Sequence, residues 1–176
     1  MRVLVTVASK HGSTAEIGTA IAGILAEAGH KVLEQRPEDA DDPAKFDAVV
    51  MGSGVYAGHW IREAKAYATE HAATLRARPV WLFSSGPLGE PPKPAGQPVD
   101  ITELETLLAP RGHVVFAGAL DRSSLGFGER AIVGMVKAPY GDFRDWTAIT
   151  AWAEQVALEL SELAAGDAAR EPAAIR

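Results

Sequence analysis

Short, unbroken apolar runs alternate with amphipathic stretches along this chain, and this alternation constrains the fold more than any other feature. Four of the runs suit strands that are covered on both faces, and a shorter, more polar run suits a strand at the edge of a sheet. The buried strands are predicted at Val3–Val7, Ala48–Met51, Val80–Phe83 and Val114–Phe116, and the edge strand at Lys31–Glu34. Strands that alternate with helices form a parallel sheet through right-handed crossovers. The sequence therefore predicts an α/β fold, a doubly wound, five-stranded parallel sheet.

Helices are predicted between these strands from the spacing of apolar residues. The first runs from about Ile17 to Ala28, and the second covers residues 60–77, with Trp60 as a core residue at its start. Asp100 is the predicted N-cap of a short helix over residues 100–109, and Asp145 that of the last helix. We expect one domain over residues 1–165 and a flexible C-terminal tail over residues 166–176, which are small, charged and interrupted by proline.

Composition excludes several functional classes. The 176 residues contain no cysteine, which excludes disulfides, thiolate metal sites and a cysteine nucleophile. The five histidines are scattered, so no metal site is predicted, and no catalytic side chain is assigned. A net charge of −6 makes nucleic acid a poor partner. No apolar run approaches the roughly 20 residues of a membrane span, and no signal-peptide pattern is present, so we expect a cytoplasmic protein without an integral membrane segment.

A long connection follows the fifth predicted strand. It covers Asp121–Asp145 and contains a helical stretch of its own at Glu129–Lys137. Most connections in α/β units have only a few residues. The length predicts either an additional piece of scaffold or a segment that covers a site.

The segment Glu34–Asp47 is acidic, with six acidic and two basic residues. Two interpretations remain open for it: a solvated loop, or a docking face for a basic partner.

Three predicted strands end in loops of small and hydroxyl residues, and ligands of open parallel sheets bind at the carboxyl ends of the strands. The first loop offers hydroxyl groups and backbone N–H groups at a helix start, which suits a phosphate monoester. A serine-rich turn that only caps the helix is the alternative.

The second loop offers glycines and an aromatic side chain that suit a flat ring. The candidate ligand-binding residues are Ser9, Lys10, His11, Gly12, Ser13 and Thr14 in the first loop, Ser53, Gly54, Val55, Tyr56, Ala57 and Gly58 in the second, and Ser85, Gly86, Pro87, Leu88 and Gly89 in the third.

Other nucleotide and nucleophile motifs do not fit. The pattern GxxxxGK[ST] is absent, and the glycines at 52, 54 and 58 miss the GxGxxG spacing by one residue. A GxSxG nucleophile elbow is also missing. His59 is a candidate proton donor, with a surface or capping histidine as the alternative.

The pattern Ser9-x-x-Gly12-x-Thr14, between an apolar first strand and an alanine-rich helix, resembles the FMN-phosphate loop of flavodoxins. The resemblance implies a flavodoxin-like sheet in the order 2-1-3-4-5 and FMN as the cofactor. It places the phosphate at Ser9–Thr14 and the flavin ring between Ser53–Gly58 and Ser85–Gly89. The third loop lacks an aromatic residue, which leaves one face of the ring open, as a substrate requires.

A narrower resemblance comes from three stretches: Gly52–His59, Phe127–Lys137 and Gly141–Trp146. These are similar to the menaquinone-dependent protoporphyrinogen oxidase branch of the family. The resemblance implies an FMN-dependent oxidoreductase or electron-transfer protein that passes electrons between a small-molecule substrate and a quinone, or to a redox protein partner. The alternative from another class is a flavodoxin-fold binding module without a redox cofactor.

Overall fold

A parallel sheet forms the centre of the molecule. The computed structural model describes residues 1–91, 93, 95–126, 128, 130, 133, 135 and 138–170. Its five parallel strands lie in the order β2-β1-β3-β5-β6, which confirms the predicted fold class and the predicted order of the five strands. The strands are β1 (Arg2–Ala8), β2 (Lys31–Gln35), β3 (Ala48–Tyr56), β5 (Val80–Ser85) and β6 (Gly112–Phe116). A short strand, β4 (His59–Trp60), pairs antiparallel with the end of β3.

Helices cover both faces of the sheet. They are α1 (Ser13–Glu27), α2 (Arg62–Glu70), α3 (Ala72–Arg76), α4 (Ile101–Leu108) and α5 (Trp146–Arg170). Apolar residues of α1 and α5 form one core with alternate residues of the strands, and apolar residues of α2, α3 and α4 form a second core on the opposite face. This two-sided burial explains why β1, β3 and β5 each contain a run of mainly apolar residues. None of the helices in the described part of the chain is long and apolar enough to cross a membrane.

The helix predicted over residues 60–77 is divided in the structure. Trp60 belongs to β4 instead of a helix, α2 begins at Arg62, and α2 and α3 are separated at His71. Trp60 is nevertheless buried, as predicted for a core residue. Its backbone N–H donates to Asp100 Oδ2 at 2.7 Å, and this long-range bond keeps Trp60 in the hairpin.

The two predicted N-caps have different outcomes. Asp145 accepts a hydrogen bond from the Ala148 N–H at 3.0 Å, which confirms it as the cap of α5. Asp100 precedes α4, but its side chain makes no cap hydrogen bond, because the carboxylate is used by Trp60. At the other end of α5 the helix continues to Arg170, and residues 171–176 of the predicted tail lie outside the described residues.

The long connection is closed at its base by a small hairpin that the sequence did not predict. Strand β7 (Ala119–Leu120) pairs antiparallel with β8 (Gly141–Asp142), so Leu120 and Gly141, which flank residues 121–140, lie side by side. The helix predicted at Glu129–Lys137 falls largely outside the described residues. The described members of that stretch, Arg130, Val133 and Met135, have helical conformation.

Gly52 illustrates how tightly the centre of the sheet is packed. A Cβ atom at this position would lie 2.1 Å from Cζ of Phe83, its neighbour on β5. The Phe83 ring is fully buried and contacts the rings of Phe116 and Trp152, so it has little space to move. Gly52 therefore serves packing within the sheet.

We predict that Gly52→Ala lowers the free energy of unfolding by about 1–3 kcal/mol, because it overpacks the core. Gly23→Ala is the matched control: Gly23 lies on α1 with nothing within 4 Å of an added Cβ, and the change should stabilise the protein by roughly 0.5–1 kcal/mol. Urea unfolding measures both values. Equal effects of the two substitutions would contradict the packing role of Gly52.

His113 should make stability depend on pH. Burial lowers its pKa to about 4 from 6.5, and its Nδ1 atom is buried with no hydrogen-bond partner, while Nε2 lies 2.8 Å from Ser84 Oγ. The unfolded chain therefore binds this proton at higher pH than the folded chain does. The stability that neutral His113 contributes is complete above about pH 6.5 and is lost as the pH falls toward 4.

We expect this loss to be on the order of 2 kcal/mol, reduced from the full shift because the ring is partly exposed. Urea unfolding at neutral and acidic pH should show a smaller pH dependence for His113→Gln than for the unmodified protein. Identical pH profiles would show that His113 is not responsible.

Candidate functional site

A cavity of about 1040 Å³ lies at the carboxyl ends of the central strands. Parallel pairing brings the ends of β1, β3 and β5 to one edge of the sheet, and residues of the loops that follow them line the cavity. The volume is at the upper end of the roughly 300–1,000 Å³ that is usual for small-molecule sites. The site therefore has room for a ligand of cofactor size.

The loop after β1 is shaped by its own side chains. Ser9 Oγ accepts a hydrogen bond from the Gly12 N–H at 3.1 Å, and Gly12 has a φ of 91°, which favours glycine. Helix α1 then begins at Ser13, so the first N–H groups of the helix have no acceptor within it. Thr14 is buried and borders the cavity. The arrangement suits an anion at the start of α1.

The second predicted loop is mainly a hairpin. Strand β3 continues to Tyr56, and a two-residue turn at Ala57 and Gly58, both with positive φ, leads back into β4. Tyr56 is 41 % exposed and borders the cavity, where Lys10 Nζ lies 5.7 Å from the centre of its ring. A flat ligand could therefore meet an aromatic side chain here.

Asp100, just before α4, holds the β3–β4 hairpin through hydrogen bonds to its second strand. Its carboxylate accepts from the Trp60 N–H at 2.7 Å and lies 3.1 Å from His59 Nδ1 and 3.2 Å from Lys65 Nζ. In addition, the Val99 N–H donates to the carbonyl of Gly58 at 2.9 Å. Burial raises the pKa of Asp100, but the hydrogen bonds from His59, Trp60 and Lys65 outweigh it and hold that pKa below its ordinary value. The hairpin is thus fixed by a charged hydrogen-bond acceptor.

The third loop approaches the hairpin through a glycine. A Cβ on Gly86 would lie 2.8 Å from Cβ of Val55, so only glycine allows this contact between the two loops. The Gly86 N–H donates to Phe116 O at 3.3 Å, and the Gly118 N–H donates to Pro87 O at 2.8 Å. The end of β6 therefore supports the third loop from behind.

The structure brings most of the candidate residues together around the cavity. Those that border it are Ser9, Lys10, His11, Ser13, Thr14, Gly54, Val55, Tyr56, Ala57, Ser85, Gly86 and Leu88. The candidates that do not border it are Gly12, Ser53, Gly58, Pro87 and Gly89. Ser53 is fully buried, and its hydroxyl accepts from the Ile61 N–H at 2.9 Å and donates to Gly54 O, which explains its absence from the cavity wall. His59 does not border the cavity either, and its ring is engaged by Asp100.

The rest of the cavity lining comes from residues that are not among the candidate ligand-binding residues of the sequence. They belong to the first turn of α1, the segment after β6, the connection and the segment after β8: Glu16, Gly118, Ala119, Leu120, Asp121, Arg122, Leu125, Val133, Ala138, Tyr140, Gly141, Asp142 and Arg144. For those in the connection, the signal in the sequence was its length, which predicted either an additional piece of scaffold or a segment that covers a site. Among these residues, the guanidinium of Arg122 lies 6.0 Å from the centre of the Tyr140 ring.

Comparison with known proteins agrees with this architecture. A family model described as a flavodoxin domain matches residues 4–147. A flavodoxin structure from the domain Archaea aligns with a TM-score of 0.64 at 12 % identity, over 92 % of this chain and 99 % of its own.

Two further solved structures show the same fold. The two-electron reduced flavodoxin of Megasphaera elsdenii aligns with a TM-score of 0.55 at 23 % identity, over 64 % of this chain and 84 % of its own. The rubredoxin:oxygen oxidoreductase of Desulfovibrio gigas aligns with a TM-score of 0.63 at 11 % identity, over 92 % of this chain and 36 % of its own. A search among curated proteins found no match.

We predict that Asp100→Asn destabilises the protein by about 2 kcal/mol, because it weakens hydrogen bonds to a charged acceptor. Hydrogen exchange should also accelerate at the Val99 N–H, which bonds to the turn of the hairpin. Glu103→Gln, an exposed carboxylate on α4, is the matched control and should change little. If both variants behave alike, Asp100 does not hold the hairpin.

Proposed function

The chain belongs to the flavodoxin domain family, and we propose on this basis that it binds FMN in the cavity and uses it to transfer electrons. One observation carries the proposal: the loop after β1, the β3–β4 hairpin and the loop after β5 border a single cavity. A single serine-rich turn could serve only to cap a helix. Three loops that border one cavity of cofactor size instead favour a ligand with both a phosphate and a ring.

The residues present fit the two ends of FMN. At the phosphate end, the first turn of α1 offers N–H groups without intrahelical acceptors, together with the hydroxyls of Ser9, Ser13 and Thr14. At the ring end, Gly54 and Gly86 present backbone without a Cβ atom, and Tyr56 presents an aromatic ring. When bound, FMN supplies reversible electron transfer, while the protein binds, orients and shields it.

The lining residues of the connection and of the short strands β7 and β8 favour a small-molecule redox partner for the bound FMN. Leu120, Leu125 and Tyr140 contribute apolar or aromatic surface there, and Arg122 contributes a positive charge. We therefore propose an oxidoreductase that exchanges electrons with a small molecule in this part of the cavity, with a redox protein as the alternative partner. A quinone acceptor, the protoporphyrinogen oxidase branch and a cytoplasmic location remain predictions from the sequence.

We predict that the protein retains flavin absorption after incubation with FMN and desalting. Thr14→Ala should weaken FMN binding about tenfold, because it removes a hydrogen-bond donor to a charged group, and it should leave riboflavin binding unchanged. Thr19→Ala is the matched control, since Thr19 lies on the same helix, is exposed and donates to Glu34 at 2.8 Å.

Titration followed by flavin fluorescence measures all of these affinities. A protein that releases all FMN on desalting would overturn the redox proposal and favour a binding module without a redox cofactor. If Thr14→Ala weakens the binding of FMN and riboflavin equally, FMN remains the proposed cofactor, but its phosphate does not bind at Thr14.

A further inference from the structure

Arg144 is a nearly buried charge beside the start of α1. It lies two residues after β8, and its side chain is only 8 % exposed. Its guanidinium donates to both carboxylate oxygens of Asp142, at 2.8 and 2.7 Å, and to Glu16 Oε2 at 2.7 Å. The hydrogen bonds from Arg144 lower the pKa of Asp142. The guanidinium also packs against Trp146, with 4.7 Å to the ring centre, so the Arg144 side chain is held by ion pairs and by an aromatic ring.

The same arginine contacts the backbone of the first loop. Its guanidinium donates to the carbonyl of Ser13 at 3.1 Å, across 131 positions of sequence. The side chain of Ser13 is held as well, because its hydroxyl accepts a hydrogen bond from the Ala119 N–H at 3.1 Å. Both strands at the base of the connection, β7 and β8, are thus joined to the first residue of α1.

Glu16 creates an electrostatic problem for an anion at this position. It lies in the first turn of α1, where a bound phosphate would meet the unpaired N–H groups, and it borders the cavity. A carboxylate next to a phosphate is repulsive, and the repulsion is strongest at low salt. The ion pair with Arg144 compensates Glu16, and without Arg144 the carboxylates of Glu16 and Asp142 would both face the site uncompensated.

We propose that Arg144 is a positioning residue for the phosphate end of the ligand. It holds the Ser13 carbonyl and neutralises Glu16, so that the first turn of α1 can accept an anion. It also couples that anion to the base of the connection, because the same side chain bridges α1 and β8. The proposal rests on the proposed function for the identity of the ligand, but the ion pairs and their effect on an anion do not depend on FMN.

The test compares FMN with riboflavin, which lacks the phosphate. For Arg144→Gln, FMN binding should weaken roughly fivefold to thirtyfold, as expected for an uncompensated charge near a helix terminus, and riboflavin binding should remain nearly unchanged. Addition of Glu16→Gln to Arg144→Gln should restore most of the FMN affinity. The difference in FMN affinity between Arg144→Gln and the unmodified protein should become smaller as salt is added.

Two further variants strengthen the comparison. Arg62→Gln removes an arginine that is 90 % exposed on α2 and serves as the control for a general change of net charge. Arg144→Lys keeps the charge but loses the forked hydrogen bonds to Asp142, so its FMN affinity should be intermediate. If Arg144→Gln does not fold, Arg144→Lys and the single variant Glu16→Gln still test the proposal, because Glu16→Gln alone should leave FMN binding equal or tighter.

Hydrogen exchange tests the proposed coupling between the bound anion and the connection. Saturation with FMN should slow hydrogen exchange at the Ala119 N–H, whose acceptor is the Ser13 hydroxyl, and Arg144→Gln should reduce this effect. Equal weakening of FMN and riboflavin by Arg144→Gln would show a merely structural role and overturn the proposal. Unchanged FMN affinity would overturn it as well.

Inorganic phosphate separates this proposal from the proposed function. If the unmodified protein binds no FMN, the proposed function fails, and phosphate is then titrated while the amide signals of residues 12–15 are followed by NMR. Phosphate-induced shifts that weaken in Arg144→Gln and recover in the double variant would support the role of Arg144. The absence of such shifts, or shifts independent of Arg144, would refute it.

Discussion

Parallel pairing of β3 between β1 and β5 is the constraint on which the rest of this structure depends. Because all three strands run in the same direction, their carboxyl ends meet at one edge, with Ala8 beside Ser53 and Ser53 beside Ser84. Helices must then cover both faces, and the loops at that edge remain to form a site. The tight fit between Gly52 and the buried Phe83 ring keeps this central region in register.

The sheet positions the loops, but two charged side chains from distant segments give them their final shape. Asp100, which precedes α4, fixes the hairpin through the Trp60 N–H, and Arg144, which follows β8, fixes the start of α1 through the Ser13 carbonyl. Both groups are largely buried and hydrogen-bonded to more than one partner, the condition under which a buried charge is tolerated. Asp100 connects the β3–β4 hairpin to the start of α4, and Arg144 connects the start of α1 to the segment after β8.

The cavity is lined by two groups of residues of different character, and this division is informative about function. One group belongs to the three strand-end loops and suits a cofactor with an anionic end and a flat end. The other group includes residues of the connection and combines apolar side chains with Arg122 and Tyr140. A cavity lined by both groups suits a cofactor and a second molecule, which is why we favour an oxidoreductase with a small-molecule partner.

Local patterns in the sequence were sufficient for the sheet and for the loop after β1. The apolar runs predicted all five parallel strands, because strand burial depends on neighbouring residues. The loop pattern of Ser9, Gly12 and Thr14 was predicted to precede a helix, but apolar spacing predicted that helix only from about Ile17, whereas α1 begins at Ser13. The division of the helix over residues 60–77 was not predictable, since Trp60 is held in β4 by Asp100, forty positions away. The β7–β8 pair was also hidden, because its two short strands are separated by the long connection. The role of Arg144 was hidden because its partners Ser13 and Glu16 lie more than a hundred residues away in the sequence. The sequence by itself determined the order of the elements and the chemistry of the strand-end loops, whereas tertiary structure alone decided which distant charges hold those loops, because electrostatic and hydrogen-bond partners are selected by proximity in space.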